Sequence, residues 1–258
     1  MHKGISDNEW KARLELTAAY HLAGKFGWTD LIYTHFTASI PDEPGCFLIN
    51  PFGLHFHEVT PTNLIKVSFD GEILSDTDYD INPTSMVIHG AIHNARPDIA
   101  CIIHLHTVNG VAVSSVKDGL LPLSQHALHL FGDIAYHDYE GIAMDEDEKV
   151  TITNDLGEKK VLLLRNHGTL TAGASIAEAF MLMYMLEKAA EIQVKTLAQG
   201  LPICTIPTEV CVRAHEQALA KRNEHLKLEW TALLRLLDTP YVRPLLNTSY
   251  TSPLLNAA

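Results

Sequence analysis

The sequence predicts an α/β sandwich in which helices cover a mixed sheet. Three observations carry this: an amphipathic segment opens the chain, short β-branched runs between turn residues fill its middle, and two long helical stretches follow. NEWKARLELTAAYHLAGKFGW spaces its apolar residues as a helix does and ends near Gly27. LIYTHFTASI and GCFLINPFG read as strands parted by the turn PDEPG, and LIKVSFDGEIL as a hairpin turning at Asp70-Gly71. In NPTSMVIHGAIHNARPD, Asn82 suits a helix cap, Pro83 suits the first helical position, and Pro97 lies just past the end. That helix feeds the strand IACIIHLHT, and TVNGVAVSSV begins another helix directly after it. KKVLLLRNHGTLTAG reads as a strand followed by a turn at His167-Gly168. SIAEAFMLMYMLEKAAEIQVKTLAQG, ending at Gly200, and PTEVCVRAHEQALAKRNEHLKLEWTALLRLLD are the long helices. No repeat or long linker interrupts the pattern, so one domain over residues 1–258 is expected, with an irregular tail over about 238–258.

Composition narrows the function. A formal net charge of −12 argues against nucleic acid or an anionic membrane as partner. No apolar run approaches the roughly 20 residues of a membrane span, and the start has no apolar signal core, so a cytoplasmic protein is expected. Cys46, Cys101, Cys204 and Cys211 form no CxxC pair and read as reduced thiols. Fifteen histidines stand against nineteen Lys and Arg, which raises the prospect of a metal site.

The segment CIIHLHTV supplies one. Alternate residues of a strand share a face, so His104 and His106 emerge side by side. His167 sits where a buried strand opens into a glycine turn. Three imidazoles at the ends of two strands suit zinc, and also iron, copper or nickel, and leave at least one coordination position open.

Several ordered segments carry a resemblance that covers roughly residues 10–199: YTHFTASIP, FLINPFGL, INPTSMVIHGAIHNARPDIACIIHLHT, QHALHLFGDIAYHDYEG, and VLLLRNHGTLTAG followed by IAEAFMLMYMLEKA. Together they resemble the class II aldolase/adducin family, in its bacterial, adducin-like branch. The resemblance implies a three-layer α/β/α sandwich with a mixed, largely antiparallel central sheet. It also implies lyase chemistry that makes or breaks a C–C bond beside a carbonyl, and commonly a homotetramer. The implied metal ligands are His104, His106 and His167. The implied cofactor is a divalent metal, Zn2+ first, with Fe2+ or Mn2+ as alternatives.

The chain departs from that pattern at points that matter. The aldolases carry a glutamate early in the helix before the HxH strand, and here PTSMVIH places Ser85 or Met86 there. His89 and His93, one turn apart, are candidates for a metal face or for the core. The glycine turn NPFG keeps Asn50 and Gly53 as substrate-binding candidates but carries bulky Phe52, and Thr84 and Ser85 are the remaining hydroxyls of the second segment. With no Walker-type or GxGxxG loop, a small, non-phosphorylated carbonyl substrate is favoured. Replacement acid–base groups come from AYHDYEG, with Glu140 as base and Tyr139 as proton donor, and from His126. His55 and His57 repeat the HxH spacing without a third partner and read as surface residues; DEDEK reads as a solvated turn.

Two readings from different classes follow. The first is a metal-dependent, aldolase-like enzyme, with oxidation or decarboxylation of an oxo acid as a variant. The second is a non-catalytic, oligomerising module like the adducin head, against which stands the absence of the long neck and basic tail.

Overall fold

Ser6 starts the first helix: its hydroxyl accepts the Glu9 N–H at 3.1 Å, and α1 (Asp7–Lys25) runs on until Gly27 turns the chain at φ +74°. A computed structural model describes residues 4–247. Seven strands follow α1: β1 (His35–Ile40), β2 (Glu43–Ile49), β3 (Ile65–Ser68), β4 (Cys101–Leu105), β5 (Ile134–His137), β6 (Val161–Leu164) and β7 (Gly168–Gly173). They form one sheet in the order β3-β2-β1-β4-β7-β6-β5. Every neighbouring pair is antiparallel except β5–β6. The sheet is therefore mixed and largely antiparallel, as the sequence leads one to expect.

Alternation along the central strands creates two cores. On β1 and β4, Phe36, Ala38, Ile40, Cys101, Ile103 and Leu105 face a helical layer of α1 and α6 (Ile176–Leu197), with Trp230 and Leu234 of α7 (Thr208–Leu234). The opposite face carries Ile102 and packs against the segment 86–95 and α5 (Glu148–Leu156). His104 follows Ile102 on that face, and His35, Thr37 and Ser39 follow the same alternation on β1. Helix α6 starts at Ser175, whose hydroxyl accepts the Glu178 N–H at 3.1 Å, and turns out at Gly200, φ +64°.

Four features differ from the pattern read in the sequence. The helix expected after Asn82 opens as a π-helical turn over Met86–Gly90 and continues as α2 (Ala91–Ala95). The segment after His167 is a full strand, β7, making a hairpin with β6 rather than a turn alone. Three short elements were not foreseen: α4 (Gln125–Leu128), β5, and α5, which begins inside DEDEK. Helix α3 (Val108–Ser114) follows β4, as read, with the Thr107 hydroxyl accepting the Gly110 N–H. Within the tail expected from 238, residues Arg243–Asn247 form α8, and 248–258 lie outside the described residues. No helix among the described residues is long and apolar enough to cross a membrane.

Candidate metal centre

The sheet brings the three predicted histidines together. His104 ends β4, His106 follows it, and His167 lies in the β6–β7 turn, where Asn166 adopts φ +57°. One ligand nitrogen from each lies within 4.8 Å of the others. The ring of His167 is centred 4.9 Å from that of His104 and 4.8 Å from that of His106.

Hydrogen bonding fixes which nitrogens are free. Nδ1 of His104 is 3.0 Å from the Thr169 carbonyl oxygen, which only accepts, so Nδ1 carries the proton and donates. Nδ1 of His106 donates in the same way to the Asp30 carboxylate at 3.0 Å. With each Nδ1 donating outward, the two Nε2 atoms face each other 3.0 Å apart. Two nitrogen lone pairs at that distance repel unless a proton or a metal ion lies between them. Tetrahedral ligands with Zn–N near 2.05 Å sit about 3.3 Å from one another, so the spacing fits a shared ion. Burial holds His104 well below the ordinary imidazole range, helped by His106 and His167, and holds His167 down to about 4. Both rings thus remain neutral, the state that binds metal. With two of them oriented by outer acceptors, the three imidazoles meet the chemistry of a metal-binding donor set.

Around them opens a cleft of about 760 Å³ lined by Tyr33, Thr34, His35, Phe52, Asn82, Thr84, Tyr139, Gly141, Ile142 and Ala143. Thr34 is the strained residue of this wall: β-branched, 3% exposed, at φ +66°, its hydroxyl without a hydrogen-bond partner. A β-branched side chain in the left-handed region persists only where its surroundings enforce it.

Of the other residues singled out in the sequence, the cleft includes Tyr139, half exposed with its ring centred 6.4 Å from that of His167, and Thr84. It does not include Glu140, whose carboxylate accepts the Thr151 hydroxyl beside Asp145–Glu148. His126 lies on α4, outside the cleft. Asn50 is buried, accepting the Tyr20 hydroxyl at 2.7 Å; Ser85 is buried, donating to the Asn82 carbonyl; Gly53 lies in the adjoining turn at φ +98°. His55 and His57 stack on each other in an exposed 3₁₀ turn. His89 and His93 are wholly buried. Asp30, Thr34 and His35 were not singled out in the sequence. For His35, the alternation H-x-T-x-S in YTHFTAS marks one polar face of a strand; nothing local marks Asp30.

The sequence matches the Class II Aldolase and Adducin N-terminal domain over residues 14–194. Among solved structures, an aldolase II superfamily protein from Pseudomonas syringae is 46% identical with a TM-score of 0.87, over 90% of this chain and 94% of that one. L-fuculose 1-phosphate aldolase from Glaciozyma antarctica is 26% identical with a TM-score of 0.77, over 89% and 90%. Alpha-adducin of Mus musculus is 50% identical over 191 residues, 73% of this chain but 26% of its own length. Family match, shared fold and near-complete coverage agree: the chain belongs to the class II aldolase and adducin family.

Proposed function

We propose that this protein is a metal-dependent, aldolase-like enzyme that makes or breaks a C–C bond beside the carbonyl of a small substrate. The observation that carries the reading is the facing pair of Nε2 atoms of His104 and His106, 3.0 Å apart, with His167 alongside. His104, His106 and His167 would hold a divalent ion, zinc first, with Fe2+ or Mn2+ as alternatives. Such an ion polarises a carbonyl oxygen. The chain's own residues supply the rest. Asp30 and the Thr169 carbonyl orient the ligands, Tyr139 stands in the cleft wall as a proton donor, and Thr34 and Thr84 offer hydroxyls to the substrate. Among the described residues the cleft wall carries no lysine or arginine to neutralise a phosphate, which supports a non-phosphorylated substrate.

Among the described residues the cleft wall also lacks a carboxylate, and alpha-adducin is 50% identical over 191 residues; both favour a second reading, a non-catalytic oligomerising module. Elemental analysis of untagged protein separates the two. About one transition metal per chain, lost in His104→Ala with His106→Ala, supports the enzyme. Folded wild type that holds no metal and takes up no added zinc supports the module.

A further inference from the structure

Behind the cleft runs an unbroken file of buried polar side chains that metal binding does not use. Nε2 of His35, in the cleft wall, lies 3.4 Å from the Thr84 hydroxyl. Nδ1 of His35 lies 3.1 Å from Nε2 of His89, and Nδ1 of His89 lies 2.8 Å from the Thr37 hydroxyl. That hydroxyl lies 2.8 Å from Nε2 of His93, whose Nδ1 lies 3.2 Å from the Ser39 hydroxyl. His35, Thr37 and Ser39 share one face of β1 by alternation. His89 and His93 stand one turn apart on the segment that crosses them, and its opening π-helical turn is a rare geometry that recurs at functional sites. Ser39 is half-buried and lines a second, solvent-open cleft of about 450 Å³ with Asn8, Lys11 and Ser175.

One bond sets the direction of the whole file. The Thr84 hydroxyl donates to Asn82 Oδ1 at 3.0 Å, so its oxygen accepts from Nε2–H of His35. Nδ1 of His35 must then accept from Nε2–H of His89, and Nδ1 of His89 from the Thr37 hydroxyl. That oxygen accepts from Nε2–H of His93, whose Nδ1 accepts from the Ser39 hydroxyl. Every hydrogen points from the Ser39 cleft toward the metal cleft. Burial keeps the His93 ring uncharged, held down to about 4. A purely structural core would be cheaper if apolar, because each hydroxyl or imidazole buried here requires its partner.

We propose that Ser39, His93, Thr37, His89 and His35 form a proton relay between the Ser39 cleft and the metal cleft, with His35 as the group that meets the substrate. The proposal rests on the enzyme reading above, in which the carbon released by cleavage must gain a proton. In that step the C–H bond forms as the His35 Nε2–H bond breaks. Each link passes its hydrogen one place along, and Ser39 takes one from the water in its cleft, which the opposite stroke has protonated; no electrons change hands and no ring ends charged. The opposite stroke precedes it: with every hydrogen reversed, bare Nε2 of His35 accepts the substrate hydroxyl proton as Ser39 gives one to water, so the two strokes together restore the starting state with no net charge moved. This supplies the acid and base that the missing glutamate would have provided.

The test joins two readouts on zinc-treated protein. Nitrogen-15 NMR of labelled histidines reports tautomers, and proton NMR in D2O reports deuterium entering dihydroxyacetone. Wild type is expected to show His35, His89 and His93 all as Nε2–H tautomers. Thr37→Val and Ser39→Ala should slow exchange at least tenfold with zinc content unchanged, and Thr37→Ser should restore it. Mixed tautomers in wild type, or variants that exchange as fast as wild type, would overturn the relay. If wild type binds zinc but exchanges nothing, the relay is overturned as a route to this substrate class. If wild type binds no zinc, the enzyme reading falls by itself, and the relay falls with it only if the tautomers are mixed.

Discussion

Gly168, the first residue of β7, is where the metal centre is most sensitive to a single methyl group. A Cβ built there would meet the Leu105 carbonyl oxygen at 2.4 Å, the His106 ring at 3.0 Å and the His104 ring at 3.3 Å. Relaxed C···O contacts begin near 3.3 Å, so Gly168→Ala must push β4 and β7 apart by about 0.9 Å. Zinc sites tolerate ligand displacements of about 0.2 Å. The shift exceeds that several-fold, and the affected atoms are the strand ends that hold two ligands. Zinc affinity should fall at least a hundredfold. Gly-to-Ala replacement ordinarily gains about 0.4–1 kcal/mol through the unfolded chain, whereas overpacking costs about 1–3 kcal/mol, so metal-free protein should lose about 1–2 kcal/mol. Chelator competition measures the first quantity and urea denaturation the second. A Gly168→Ala protein that binds zinc within twofold of wild type, at equal or greater stability, would refute the steric argument.

Asp30→Ala should weaken zinc about tenfold, the low end for an orienting partner because the carboxylate is 42% exposed. Asp30→Asn, which keeps an acceptor, should fall between Ala and wild type, and chelator competition on the pair checks that order. His93 is held down to about 4 against 6.5 unfolded, so its neutral form favours folding only above that window. Denaturation midpoints should drop as pH falls from 6.5 toward 4, at up to 1.36 kcal/mol per pH unit for this ring alone. Glu187 runs the other way. Burial raises it to about 7, so between about 4.5 and 7 the unfolded chain ionises first and stability falls as pH rises. Glu187→Gln should flatten that decline, read as unfolding free energy at pH 5 and pH 8. Phe36→Ala should cost about 3–5 kcal/mol in urea, because the ring is fully buried and stacks on Tyr20 at 4.5 Å between centroids.

The features legible in the sequence were those carried by local pattern. Helices α1, α6 and α7 announce themselves by periodicity and caps, and β4 by its β-branched run. The HxH pair was legible because strand alternation is a property of neighbours. Strand β5 was hidden by its four-residue length, too short for alternation to register, and α5 by the acidic run that precedes it. Asp30 was hidden for another reason. It meets His106 across 76 residues of sequence, a juxtaposition made by the fold alone. His89 and His93 were legible as a helical pair, but not their bonds to Thr37, which depend on which face of β1 turns toward them.

The fourth place of β4 in the seven-strand order has a consequence for how metal would leave. A ligand on a loop or an edge strand can detach by local fraying, at little cost. His104 is carried by a strand bonded on both sides, to β1 and to β7, so freeing it means opening the sheet at its middle. On unfolding, His104 then lets go of the ion as the sheet opens rather than before it. Free zinc should raise the single unfolding transition by mass action rather than add a second, earlier one.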